Sequence, residues 1–165
     1  MSTSIARAQL FAAIEGGSAS WSEEIMKLGP VEVRDRLLKN DYSTAGKITE
    51  RLKLTSGEEV ILEIAKAGAF ILTPEDADWP VSLNDLAAPP IGLVIKGDPK
   101  LLTGNSLAIV GTRNPTQYGV RIAQDFAAGF VDREWTIISG GAYGIDAAAH
   151  KGALVAEGVT IAVIA

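Results

Sequence analysis

Thr136-Ile137-Ile138-Ser139-Gly140-Gly141-Ala142-Tyr143-Gly144-Ile145-Asp146 is the stretch from which the rest of the chain can be read. Thr136–Ile138 has the β-branched, apolar character of a short buried strand. Ser139–Gly144 makes a tight loop. From Ile145 onward, Ile145, Ala149, Gly152 and Ala156 recur at helical spacing. A strand therefore runs into a glycine-rich loop that opens a helix. Glycines admit positive φ and let a ligand approach the backbone closely. The unpaired N–H groups at a helix start favour an anion, so the default ligand is a phosphate. The spacing Gly140-x-x-x-Gly144 is neither the G-x-G-x-x-G dinucleotide fingerprint nor a P-loop, which needs a Lys-Ser/Thr pair. The alternative is that the glycines only permit a tight turn and close packing.

The flanking segments repeat the theme. Leu107–Val110 reads as a strand and Gly111-Thr112-Arg113-Asn114-Pro115 as a second glycine loop. Residues 117–132 follow as a helix with Ala123, Phe126, Ala127, Phe130 and Val131 facing inward. Strand 135–139, helix 145–157 and strand 160–164 complete the series. Strands alternating with helices imply a parallel α/β sheet with right-handed crossovers. All three strands are apolar enough to be buried on both faces. Ligands of such sheets bind beyond the carboxyl ends of the strands, which brings the loops after Val110 and Ile138 to one edge.

Upstream, residues 4–15, Trp21–Leu28, Val31–Leu38, 43–54 and 57–67 read as five short helices, with Pro30 suited to a first helical turn. Residues 1–67 thus form a small all-helical domain. The character changes at Gly68, with a strand at Phe70–Leu72 and another over Ile91–Lys96, so residues 68–165 form the α/β domain. Trp21, Trp79 and Trp135 read as core or domain-junction residues. The chain stops directly after the last strand, as expected of a fragment that ends partway through its second domain.

Composition bounds the function. There is no cysteine, which excludes disulfides and thiolate metal sites, and no metal-ligand cluster stands out. The N-terminus lacks a signal-peptide pattern and no apolar run reaches membrane-spanning length, so the chain reads as soluble and cytoplasmic. The net charge is −5. All of it falls in residues 1–99, with ten basic against fifteen acidic side chains; the remainder balances at five and five. A nucleic-acid partner must therefore be met by a local patch rather than a basic domain.

The candidates for that patch cluster at the loops. Arg113 offers a rigid fork of donors suited to phosphate, unless it pairs with Asp125 or another surface acid. Thr112 adds a hydroxyl. Lys151, on the helix opened by Gly144-Ile145, reaches a phosphate or lies exposed. Tyr118 and Tyr143 flank the loops and could stack on a base or simply pack. Asp146 favours the helix dipole but repels a nearby phosphate, so it reads as a holder of loop N–H groups, Thr112 or Arg113. A catalytic acid is the minority reading. His150, the one histidine, has no visible carboxylate or nucleophile partner and reads as a helix residue near the loop.

Ala108–Arg113, Ile138–Asp146 and Ala149–Leu154 together resemble the DprA/Smf family of DNA-processing proteins, and Trp79-Pro80, Leu83–Leu86, Pro89-Pro90 and Lys96–Asp98 resemble the family's approach to its Rossmann-like domain. The resemblance covers about residues 68–165. It implies a Rossmann-like sheet, incomplete here, preceded by a variable helical domain. It also implies a bacterial protein of natural transformation and recombination that binds and protects incoming single-stranded DNA. Such proteins help load the recombinase RecA, dimerise through the Rossmann-like domain, need no cofactor and are not known as enzymes. By motif position, Gly111, Thr112, Arg113, Gly140, Gly141, Ala142, Tyr143, Gly144 and Lys151 would line the DNA pocket. The loop-and-helix site also resembles nucleotide phosphoribohydrolases of the lysine-decarboxylase-like group, whose catalytic Glu comes from a later motif.

Overall fold

The computed structural model describes residues 2–164. The chain divides after Thr103 into two compact units.

The first unit opens with five helices: α1 (Thr3–Ala13), α2 (Ala19–Leu28), α3 (Pro30–Leu38), α4 (Gly46–Leu54) and α5 (Gly57–Lys66). Local chemistry sets their ends. Pro30 occupies the first turn of α3, where its missing N–H costs nothing. Ser56 and Glu59 form a reciprocal capping box at α5. Leu10, Ile25, Val33, Leu37 and Leu52 bury themselves at the centre, with Trp21 and Tyr42 packed edge to face at 5.1 Å against them. Truncating one such leucine to alanine costs about 2–5 kcal/mol.

Beyond α5, β1 (Phe70–Leu72) pairs antiparallel with β2 (Leu93–Ile95). This part of the chain is tied to the helices. Arg7, only 8% exposed, grips the Glu75 carboxylate through Nε and Nη2 and donates from Nη1 to the Ile91 carbonyl at 3.1 Å. Ser22 donates to the Pro89 carbonyl at 2.8 Å. Helix gives way to strand just after Gly68, while the compact unit continues to Thr103.

The second unit holds β3 (Ser106–Ala108), α6 (Gln117–Val131), β4 (Thr136–Ser139), α7 (Ile145–Val155) and β5 (Thr160–Ala162). The strands are parallel in the order β3-β4-β5, with Leu107 beside Ile137 and Ile137 beside Thr160. Two successive right-handed crossovers in one direction put both helices on the same face of the sheet. Ile137, Ala127, Ala149 and Ala153 form the core there, joined by Leu107, Ile109 and Phe130.

The expectation that the strands are buried on both faces fits the central strand β4, which is buried or half-buried throughout, but not the edge strands β3 and β5. In β3 the outer residues Ser106 and Ala108 are exposed while Leu107 is half-buried, and β5 ends on exposed Ala162. Phe126, expected to face inward, is 57% exposed. It lines an open groove with Leu107, Ile109 and Val110 along β3 and its exit.

No helix among the described residues is long and apolar enough to cross a membrane.

Candidate nucleic-acid interface

The two glycine loops leave the carboxyl ends of β3 and β4 and touch. Gly144 takes φ +91°, a conformation that side chains resist, and the carbonyl oxygen of Thr112 occupies the place a Cβ would need. The Ile145 N–H donates to that same Thr112 oxygen at 3.2 Å. The start of α7 is thereby fastened to the Gly111–Arg113 loop. Thr112 Oγ1 in turn accepts from the Asn114 N–H at 3.1 Å, closing the first loop, and Ser139 Oγ donates to the Ile109 carbonyl at 2.6 Å, joining the strand ends below.

Above them lies an open cleft of about 590 Å³ lined by Arg113, Gly140, Gly141, Ala142, Tyr143, Asp146, Val163 and Ile164. Arg113 is exposed and makes no ion pair among the described residues, with Asp125 or any other acid. Tyr143 is 88% exposed. The Ala142 N–H reaches Asp146 Oδ2 at 3.4 Å, so the buried carboxylate partly satisfies the loop itself. The N–H groups of Gly141, Tyr143, Asp146 and Ala147 have no hydrogen-bond partner among the described residues. Unpaired N–H groups at a helix amino end beside a free guanidinium suit a phosphate.

The structure brings most of the sequence candidates together. Arg113, Gly140, Gly141, Ala142 and Tyr143 line the cleft, while Gly111, Thr112 and Gly144 form the joint beneath it. Tyr118, in the first turn of α6, and Lys151, on α7, are exposed and lie outside the lining. Val163 and Ile164 were not among the candidates. Their place past the end of a third parallel strand was the signal available. They add an apolar border to the cleft, with Ile164 directly against Gly141. Among the described residues no group of three or more His, Cys, Asp or Glu could hold a metal ion.

A larger concavity, about 690 Å³, lies in the helical unit around Trp21, Lys47 and Arg51. It lacks the convergence of strand ends and glycine loops, and its Arg51 is already engaged with Glu15 at 3.6 Å. The chemistry therefore points to the smaller cleft.

The family model for DNA recombination-mediator protein A matches residues 70–165. A DprA-named protein of Mycobacterium tuberculosis is 35% identical over 153 residues, covering 84% of this chain and 39% of that protein. The DNA processing protein DprA of Bacillus subtilis is 42% identical over 107 residues, covering 64% of this chain and 36% of that protein. The X-ray structure of DNA processing protein A from Streptococcus pneumoniae superposes with a TM-score of 0.74 at 26% identity, over 94% of this chain and 55% of that one. The chain thus spans under two-fifths of the length of these two curated relatives.

Proposed function

The chain belongs to the DNA recombination-mediator protein A family, and from that membership we propose that its glycine-loop cleft binds the backbone of single-stranded DNA. One observation carries the reading: Arg113, Gly141 and Tyr143 line one cleft with exposed Val163 and Ile164, and the Gly141 and Tyr143 N–H groups have no partner among the described residues. Phosphate would be held by the N–H groups and the guanidinium. An unstacked base would lie on the aromatic or aliphatic wall, where any base can stack. A duplex keeps its bases paired and offers no such face. The local arrangement also answers the acidic composition, since two loops and one arginine supply a patch that the overall charge does not.

We read the role as binding rather than catalysis. His150 is engaged with Thr160 and the Gly140 carbonyl, and Asp146 with the Ala142 N–H. Neither is presented to a nucleophile. Protection of incoming DNA, delivery to the recombinase RecA, dimerisation and a cytoplasmic setting are proposals for the whole protein.

The test is a titration of labelled oligothymidylate against a duplex of equal length, repeated from about 50 to 200 mM salt. Tighter binding of the single strand, weakening as salt rises, is expected. Equal or tighter binding of the duplex contradicts the reading.

A further inference from the structure

His150 joins three segments of the second unit. Its Nδ1 lies 2.7 Å from Thr160 Oγ1 on β5, and its Nε2 lies 3.0 Å from the carbonyl oxygen of Gly140. A carbonyl can only accept, so Nε2 carries a proton and donates. The other side of the ring does not alter this. Thr160 Oγ1 also lies 2.9 Å from the Ile137 carbonyl. On a neutral ring Nδ1 is then bare and accepts from the Thr160 hydroxyl; on an imidazolium Nδ1–H donates to Oγ1 and the hydroxyl turns to the Ile137 carbonyl. In both arrangements Nε2–H serves Gly140.

The consequence lies one atom further on. Every peptide bond among the described residues is trans. The carbonyl of Gly140 and the N–H of Gly141 belong to one rigid plane and point in opposite directions. Holding the oxygen against His150 turns the Gly141 N–H away from it. Gly141 lines the cleft and His150 does not. Two adjacent glycines have the greatest freedom to rotate the peptide between them, so this plane needs a lock.

We propose that His150 is the positioning residue of the cleft: by fixing the Gly140 carbonyl, it aims the Gly141 N–H at a bound phosphate. The proposal deepens the DNA-binding reading and rests on it for the identity of the ligand, while the orientation of the Gly141 amide can be tested without ligand.

His150→Leu keeps apolar bulk and removes the donor, whereas His150→Gln retains an N–H in nearly the same place. The Gly141 amide signal is followed by NMR in the ligand-free protein, and oligothymidylate affinity is measured alongside. The Gly141 signal should move in His150→Leu and return in His150→Gln. Affinity should fall about tenfold in the first and largely recover in the second, as for loss of one charge-assisted hydrogen bond. Thr160→Val, which removes the partner of Nδ1 together with the hydroxyl's contact to the Ile137 carbonyl, should give a smaller loss in the same direction and serves if His150→Leu does not fold. An unmoved Gly141 signal in His150→Leu overturns the proposal, as does equal loss in Leu and Gln. If the unsubstituted protein binds no oligothymidylate, the DNA reading fails, and the Gly141 signal still decides whether His150 orients the loop.

Discussion

The carbonyl oxygen of Thr112 lies where a side chain at Gly144 would begin, so the two glycine loops share one joint. Gly144→Val should strain the backbone by roughly 1–3 kcal/mol and force the loops apart. Gly144→Ala should do less harm but in the same direction. Thermal melts and oligothymidylate titrations of both variants check this. A folded Gly144→Val protein with unaltered affinity would show that the joint does not shape the cleft.

Asp146 sets a carboxylate among the groups that would meet phosphate. Asp146→Asn keeps an acceptor for the Ala142 N–H and removes the like charge, so affinity for oligothymidylate should rise a few-fold at low salt. Asp146→Ala loses the acceptor and should lower stability by about 0.5–2 kcal/mol, as loss of a helix-start acceptor does. Weaker binding by Asp146→Asn would mean the carboxylate assists the ligand.

Arg7 and Glu75 predict an acid response in the first unit. Burial acts to raise the Glu75 carboxyl, but the hydrogen bonds and charge of Arg7 outweigh it and hold the group below the usual carboxylate range. A depressed folded-state value contributes stability above the unfolded value and loses it as pH falls through the folded one. The melting advantage of the native protein over Glu75→Gln should therefore be full at neutral pH and vanish on acidification. A constant difference across the acid range contradicts this.

The open sheet edges and the exposed apolar residues just past the strand ends predict self-association of the 165-residue chain. Val110, Val163 and Ile164 are exposed, and β5 presents an edge on which a second copy can pair. Light scattering should show concentration-dependent association, reduced by Val110→Lys together with Val163→Lys. A monodisperse monomer at all concentrations contradicts it.

Much of this architecture is legible in the residues themselves. Gly140-Gly141 and Gly111 follow apolar β-branched runs and precede helical spacing, a pattern with few other solutions. Pro30 marks a helix start by local chemistry alone. What escaped is set at longer range. The exposure of Phe126 depends on what packs against α6, which no local period reports. The bonds of His150 join residues 140 and 160 across two crossovers. Tyr118 and Lys151 follow the loops in sequence, yet neither is among the residues that line the cleft.

The most direct measurement is the salt dependence of oligothymidylate binding by Arg113→Ala. Arg113 makes no ion pair among the described residues and opens onto the cleft, so its loss should leave stability nearly unchanged. Affinity should fall, and the slope of log affinity against log salt should flatten by the ~0.7 expected for one phosphate contact on a single strand. Affinity and slope equal to those of the unsubstituted protein would show that DNA, if bound, is held elsewhere.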